Sequence, residues 1–312
     1  MSLFIPPELA GKRLDQVLVA LFPDYSRSRI TTWIRDGRVQ VDGGNQAPKY
    51  RVLGGERLDV DFDAPSGDDV DWAPEPMDLD IVHADEALFV INKPAGLVVH
   101  PAAGNWSGTL VNGLLHHDPA LAQVPRAGVV HRLDKDTTGL MVVARTLKAH
   151  AALVAMLQVH DVQREYLALA EGCLTGGGTV EAPIGRHGTD RKRMAVTPGG
   201  KHAVTHYRIE ERFQHHTLLR VNLETGRTHQ IRVHMAHIRH PLVGDRVYGG
   251  RQRVPAGIGE RMRALLAGFP RQALHATRLS FRHPEDGQVH AWDAPLPDDM
   301  AGLLGHVREI SE

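Results

Sequence analysis

At 312 residues, with 42% hydrophobic and 23% charged side chains, the chain has the composition of a globular protein and the length of two domains. Its one cysteine, Cys173, excludes a disulfide framework or a thiolate metal cluster and favours a reducing, cytoplasmic compartment. The net charge of −1 argues by itself against a nucleic-acid partner, and no apolar run reaches the roughly twenty residues of a membrane span.

The first predicted domain covers residues 12–72. Two helices are predicted from apolar residues at helical spacing: Leu14, Val17, Leu18 and Leu21 in the first, and Ile30, Trp33 and Ile34 in the second. Ser26 is the candidate N-cap of the second helix, which ends at Gly37. Short strands follow at Val39–Val41 and Arg57–Phe62. This pattern predicts a small α+β domain.

The second predicted helix carries a basic face. Arg27, Thr31 and Arg35 share that face by i, i+4 spacing, and Arg29 and Arg38 lie nearby. Such a face is either solvated or in contact with phosphates, and the charge pattern alone leaves both readings open.

An acidic segment separates this domain from the rest of the chain. Residues 64–78 are rich in Pro, Asp and Gly, which predicts an extended connection, with residues 73–78 as the linker before the second domain. Residues 63–90 hold nine acids and no Lys or Arg, whereas residues 91–312 hold 27 Lys and Arg against 20 Asp and Glu. The negative charge of residues 63–90 therefore offsets the positive net charge of residues 91–312, and the charge distribution allows a polyanionic partner.

From residue 79 onward, apolar strand-like runs alternate with helical patterns. Strands are predicted at 88–92, 140–144, 166–170 and 218–223, and helices at 148–157 and 229–238. This order predicts one large α/β or α+β domain over residues 79–312.

The segment 131–140 has unusual polar density between two apolar runs. It contains His131, Arg132, Asp134, Lys135 and Asp136 directly before a predicted buried strand. Buried strands do not begin with such groups unless these are satisfied locally or serve a site. A turn with surface ion pairs, a metal site formed by the histidine and both carboxylates, and a catalytic site all remain open.

A second polar turn precedes the last of these helices. Arg227 lies at the Thr225-Gly226 turn, where its guanidinium could pair with a carboxylate from another loop or form a purely structural ion pair. His234, His237 and His240 follow, but no acid stands at ligand spacing, so satisfied or exposed histidines are favoured over zinc.

Four stretches resemble RluA-type pseudouridine synthases: His131–Thr146, Ile91–Pro101, Arg164–Leu169 and Leu223–Gly250. The first domain resembles an S4 RNA-binding domain. The likeness spans nearly the whole chain and is strongest to members that modify large-subunit ribosomal RNA. It implies an α+β fold, with an S4-like domain at 12–72 followed by a catalytic domain with a central mixed, largely antiparallel sheet flanked by helices.

The resemblance also implies a reaction. It is the isomerisation of uridine to pseudouridine in large-subunit ribosomal RNA, at the helix 69 loop. An isomerisation requires no nucleotide, redox cofactor or metal, and a monomer is the default expectation. Asp134 would be the essential carboxylate and Arg227 its ion-pair partner. Tyr166 would stack on the flipped uracil and could assist proton removal from C5. Whether Asp134 attacks the base, attacks the sugar or removes a proton is left open.

Candidate RNA contacts extend beyond these three residues. They are His131 and Arg132, the Arg186 loop with Arg191, Lys192 and Arg193, and in the first domain Arg27, Arg29 and Arg35. Two other functions remain as alternatives: an inactive RNA-binding protein of ribosome assembly, and a metal-dependent hydrolase that uses the histidine cluster.

Overall fold

The computed structural model describes residues 2–22, 27–61, 72–101, 105–190, 193–249 and 259–311. The chain divides into two compact units, Met1–Trp72 and Ala73–Glu312. No helix among the described residues is both long and apolar enough to cross a membrane.

The first unit combines two helices with a four-stranded antiparallel sheet of order β1-β4-β2-β3. Its elements are β1 (Ser2–Phe4), α1 (Leu14–Leu21), α2 (Arg27–Arg35), β2 (Val39–Val41), β3 (Gly44–Asn45) and β4 (Arg57–Val60). The predicted helix faces are confirmed, because Leu14, Val17 and Leu18 and the apolar residues of α2 form one buried core. β1 was not predicted, and the candidate cap Ser26 lies outside the described residues.

Among the described residues, nine strands of the second unit form one sheet. Their order is β5-β6-β7-β14-β8-β13-β12-β9, with β15 paired to β14. The strands are β5 (Ile81–Ala84), β6 (Leu88–Lys93), β7 (Thr138–Ala144), β8 (Gln163–Glu171), β9 (Gly178–Glu181), β12 (Val204–Arg212), β13 (His216–Leu223), β14 (Leu274–Arg282) and β15 (Val289–Asp293). β10 (Ile184–Arg186) and β11 (Met194–Val196) form a separate hairpin. The β7–β14 pair is parallel and the other described pairs are antiparallel, which confirms a mixed, mostly antiparallel sheet.

Helices pack on this sheet through several apolar clusters. The helices are α3 (Leu110–His117), α4 (Leu147–Gln158), α5 (Gln230–His237), α6 (Glu260–Gly268) and α7 (Asp298–Ser311). Leu153 of α4 shares a cluster with β6 and β7, whereas α6 and α7 share one with β8 and β13. Burial of these apolar faces, rather than helix propensity, holds the helices on the sheet.

Residues 73–78, predicted as the linker, contain no helix or strand in the structure. These residues belong to the second unit and are bonded to α3: Asn112 Nδ2 donates to the carbonyl of Ala73 at 2.9 Å, and the N–H of Glu75 donates to the carbonyl of Asn112 at 3.0 Å. Composition could not show that this segment is hydrogen-bonded to a buried asparagine of α3.

Two glycines position the loop between residues 128 and 139. Gly128 has φ +79°, and a Cβ there would stand 1.9 Å from the carbonyl oxygen of Ala144. Gly139 has φ +109°, and its Cβ would meet the backbone of Ala276 at 2.2 Å. Only glycine fits both the left-handed backbone and such close approaches. The loop that carries Asp134 is therefore pressed against β7 at one end and β14 at the other.

We predict that Gly139→Ala destabilises the protein by about 3 kcal/mol or more, because the clash is with backbone that cannot rotate away. Thermal and denaturant unfolding measure the loss. Gly305→Ala in α7 is the matched control: it has open space around the added methyl and should gain up to about 1 kcal/mol. A Gly139→Ala protein as stable as wild type would show that the strand contact is not tight.

Candidate active site

A cavity of about 840 Å³ lies in the second unit. It is lined by residues of the segments 98–101, 126–137 and 223–232, the last of which includes the start of α5, and by side chains of α4 and β8. Asp134, Tyr166 and Arg227 all line it, so three residues far apart in sequence meet at one place. Its size matches pockets that hold small organic ligands, which span roughly 300–1,000 Å³.

Asp134 is held by a buried guanidinium. Nη1 of Arg232 lies 2.9 Å from Oδ2 of Asp134, while Nε and Nη2 of the same arginine bind both oxygens of Asp245 at 2.7 and 3.0 Å. The Asp245 side chain is fully buried, and the N–H groups of Val247 and Tyr248 donate to its Oδ1. Burial alone would lower the pKa of Arg232, but the two carboxylates raise it, so it is permanently charged.

This arrangement corrects the predicted partner of Asp134. Arg227 lines the cavity but is exposed, and its Nε donates to the backbone carbonyl of His202 at 2.9 Å rather than to a carboxylate. Arg227 lies in the turn before α5, where its side chain points outward. Arg232 lies inside α5 on the buried side, so only it reaches Asp134.

A histidine approaches the other oxygen of Asp134. Nε2 of His229 lies 3.8 Å from Oδ1, and the N–H of Met194 donates to the hydroxyl of Tyr248. That hydroxyl can therefore donate its own hydrogen to Nδ1 of His229, 2.7 Å away, which leaves the proton of neutral His229 on Nε2, facing Asp134. Burial lowers the pKa of His229, and the charge of Asp134 opposes that shift. The residue also has a left-handed backbone, with φ +57°, which is uncommon outside glycine.

The loop that carries Asp134 is anchored by three side chains from elsewhere in the unit. The fully buried Lys93 donates from Nζ to the carbonyls of Pro94, Leu97 and Lys135 at 2.7 to 3.0 Å. Arg271 donates to the carbonyl of Asp136, and Gln272 to the hydroxyl of Thr137. Burial lowers the pKa of Lys93 to about 7, with Asp136 and Asp134 opposing the shift. The carboxylate is thus fixed through its backbone as well as through its side chain.

Tyr166 and Arg164 come from alternate positions of β8 and both line the cavity. Tyr166 is 5% exposed, and burial raises the pKa of its hydroxyl, with Asp134 adding to the shift and Arg164 opposing it. Arg164 packs over Gly226, where a Cβ would meet its Nη1 at 2.8 Å. Among the described residues its buried Nε has no hydrogen-bond partner. The site therefore has an aromatic ring and an incompletely bonded cation near Asp134.

His131, predicted to contact RNA, lines the cavity. Its Nε2 accepts a hydrogen bond from the N–H of Val142 at 3.1 Å, and burial lowers its pKa to about 3. His131 is therefore neutral and cannot serve as a cationic phosphate contact. Arg132, the next residue, is exposed at the cavity.

Both units match known protein families. The pattern described as RNA pseudouridylate synthase matches residues 87–237, and the S4 domain pattern matches residues 12–58. A protein of Yersinia pestis named "Ribosomal large subunit pseudouridine synthase D" is 56% identical, over 100% of this chain and 96% of its own length. The chain belongs to the RNA pseudouridylate synthase family. A protein of the same name from Pseudomonas aeruginosa is 54% identical, over 99% of this chain and 96% of its own length.

A solved structure supports the same assignment for the second unit. Human RNA pseudouridylate synthase domain containing 4 matches with a TM-score of 0.57 and 25% identity, over 73% of this chain and 92% of that one. The protein is therefore an RNA pseudouridine synthase with an S4 domain, which confirms the fold and enzyme class expected from the sequence.

The other predicted RNA contacts of this synthase are scattered. Arg35 and Arg186 are exposed, and the guanidinium of Arg193 lies 5.4 Å from the ring centroid of Tyr248, beside the site. Arg191 and Lys192 lie outside the described residues, as do the side chains of Arg27 and Arg29.

Among the histidines weighed as metal ligands, His234 has both ring nitrogens engaged. Its Nδ1 lies 2.9 Å from the hydroxyl of Thr205, and its Nε2 lies 2.9 Å from the carbonyl of Ala182. His237 is exposed, and His240 lies 2.8 Å from the carbonyl of Glu171. The three side chains therefore have separate surroundings.

We predict that Arg232→Lys lowers kcat on the order of a hundredfold, because a lysine cannot bridge Asp134 and Asp245 with fixed geometry. Arg227→Lys, the same substitution five positions earlier, should instead raise KM for RNA and leave kcat close to wild type. Single-turnover and steady-state kinetics separate the two effects. Equal losses of kcat in both variants would contradict the assignment of Arg232 as the partner.

Proposed function

We propose that this enzyme isomerises uridine to pseudouridine in large-subunit ribosomal RNA, at the helix 69 loop, with Asp134 as the essential carboxylate. The observation that carries the proposal is the Asp134–Arg232–Asp245 ion-pair network at the wall of a cavity that also holds Tyr166. The choice of large-subunit RNA rests on the names of relatives that match over their full length. The helix 69 loop rests on the motif resemblance described above.

The reaction moves one bond and one proton. The N1–C1′ bond of uridine breaks, the uracil turns, and a C5–C1′ bond forms. The hydrogen on C5 then leaves as a proton, and N1 carries a proton in the product, so atoms and electrons balance within the substrate. The chain must therefore bind a nucleotide, keep a carboxylate ionised beside it and hold the detached base in place.

Oδ1 of Asp134 is the oxygen we assign to the reaction. Oδ2 is occupied by Arg232 at 2.9 Å, whereas Nε2 of His229 lies 3.8 Å from Oδ1. The Asp134 side chain is only 14% exposed, and the guanidinium offsets the cost of removing its carboxylate from water. Each of the three roles left open for Asp134 requires such an oxygen.

Tyr166 supplies a ring face for the base. Its raised pKa keeps the hydroxyl protonated, so we assign it stacking and hydrogen bonding rather than proton abstraction. A stacked aromatic ring holds an unstacked base with roughly 1–3 kcal/mol of free energy. That contact would retain the uracil while it is detached from the sugar.

The cavity position requires the target nucleotide to leave its stack. A base inside an RNA fold is out of reach of a half-buried carboxylate, so the nucleotide must be flipped into the cavity. Arg132 and Arg227 are exposed at its rim and can bind the flanking phosphates. The S4 unit, with exposed Arg35 on α2, would add sequence-independent affinity for the RNA backbone.

We predict that Asp134→Asn lowers turnover to below about one ten-thousandth of wild type, the scale on which a central catalytic group acts. Tritium release from RNA labelled at uracil C5 measures turnover, and carbodiimide-primed reverse transcription of ribosomal RNA maps the product. RNA affinity and thermal unfolding should stay near wild type, as should the activity of the exposed control Asp161→Asn. Full turnover in Asp134→Asn would refute the role, and no turnover by wild type on any large-subunit RNA would favour an inactive binding protein.

A second prediction concerns the basic face of α2. Replacing Arg27, Arg29 and Arg35 with Gln should flatten the dependence of log binding constant on log salt by about 0.7–0.9 per lost phosphate contact. It should leave kcat at saturating RNA unchanged. The control replaces Arg261, Arg263 and Arg282, which are exposed in the second unit, with Gln. Identical slopes for wild type and the α2 variant, or equal loss in both variants, would remove the S4 face from RNA binding.

A further inference from the structure

A group of histidine and aspartate side chains converges outside the catalytic cavity. Nε2 of His83 lies 2.7 Å from Oδ2 of Asp85, and Nε2 of His283 lies 3.0 Å from the same oxygen. One ligand atom from each residue falls within 4.8 Å of the other two. None of the three is among the described residues that line the Asp134 cavity. The cluster is therefore independent of the isomerase site.

The three side chains are held on ordered backbone. His83 is in β5, Asp85 follows that strand, and His283 follows β14, 198 positions later in the chain. The other oxygen of Asp85, Oδ1, accepts from the N–H groups of Ala87 and Leu88 at 2.7 and 2.9 Å. The carboxylate is therefore fixed, with Oδ2 directed at the two imidazoles.

The surroundings resemble the outer shell of a metal site. Oδ1 of Asp286 lies 3.8 Å from Nδ1 of His283, and Oδ2 of Asp286 lies 2.8 Å from Nε2 of His290. A ligating histidine commonly directs its second nitrogen at such a carboxylate. The His283 side chain is 7% exposed, whereas those of His83 and Asp85 are 32% and 31% exposed. One side of the group is thus open to water.

We propose that His83, Asp85 and His283 bind one zinc-class divalent cation, with water in the fourth position. Two imidazole nitrogens and one carboxylate oxygen are the donors that zinc accepts, whereas magnesium and calcium prefer oxygen ligands alone. Ligands 2.0–2.1 Å from a tetrahedral ion lie about 3.3 Å apart, so the present 2.7 and 3.0 Å separations need to widen by only a few tenths of an ångström.

Binding would have a structural consequence. The cation would cross-link the start of the second unit to its C-terminal hairpin, β14–β15, and stabilise the folded state by mass action. In place of donating their Nε2 hydrogens to Asp85, both histidines would present Nε2 lone pairs to the ion, with the hydrogen on Nδ1. In the structure Nδ1 of His283 accepts from the N–H of Glu285 at 3.3 Å, so binding would exchange this hydrogen bond for one donated from Nδ1 to Asp286. The isomerisation does not depend on this site.

Isothermal titration calorimetry of the full-length, untagged protein tests the proposal, with Zn²⁺, Co²⁺ and Mg²⁺ as separate ligands. The Cys173→Ser background removes the exposed thiol as a competing ligand. We expect one Zn²⁺ per chain, visible absorption of a four-coordinate Co²⁺ complex, no comparable Mg²⁺ binding, and a higher Tm with Zn²⁺. His83→Gln should weaken Zn²⁺ binding by about tenfold or more.

The matched control is His202→Gln, which removes a histidine paired with a single carboxylate, Glu181, at 3.1 Å. It should bind Zn²⁺ like the background protein. His83 is part-exposed, so its substitution should leave the fold and the pseudouridine activity intact; both are measured on the same preparation. Zn²⁺ affinity unchanged in His83→Gln, equal loss in His202→Gln, or no stoichiometric Zn²⁺ binding would each overturn the proposal.

Discussion

The fork of Arg232 between Asp245 and Asp134 is the interaction on which the site depends. A buried guanidinium is stable only with carboxylate partners, and a nearly buried carboxylate is ionised only beside a cation, so neither group is tolerable alone. Asp245 completes the network because its own oxygens are fixed by backbone N–H groups. The position of Asp134 is therefore set by a chain of contacts that begins in the loop after α5.

The elements that the sequence predicts are those with clear apolar periodicity, because that periodicity is a local property. The helix faces of α1 and α2, the buried strand β7 and the helix α5 follow from it, whereas β12, β14, α6 and α7 were not predicted. The matched motifs, rather than periodicity, implied that Asp134 and Tyr166 belong to one site, and both line the cavity. The extent of β8 and the strand β1 were not predicted in full, because pairing partners far away in the chain determine where a strand ends.

The predicted partner Arg227 shows where such reasoning ends. Arg227 and Arg232 stand five residues apart in one motif, and the sequence alone does not show which guanidinium points inward. That depends on the turn at Gly226, which directs one arginine to solvent, and on Asp245, which receives the other across 13 positions of sequence. Likewise, the roles of His229 and Lys93 depend on the hydroxyl of Tyr248 and on three carbonyl oxygens, which no spacing rule brings together.

In the second unit, buried polar atoms without a hydrogen-bond partner among the described residues lie in or beside the Asp134 cavity. Among its described residues, the buried Nδ1 of His131 and Nε of Arg164 lack partners and belong to cavity-lining side chains, and Nε of Arg193 lacks one beside Tyr248. A buried polar group without a partner costs roughly 1–3 kcal/mol, so folding alone does not favour this arrangement. Its persistence beside Asp134 is understandable if these donors are completed by the acceptor-rich uracil and phosphates of a bound nucleotide. Arg232 and Lys93 thus fix Asp134 through its side chain and its loop, and the atoms of His131 and Arg164 without partners among the described residues belong to side chains that line the cavity.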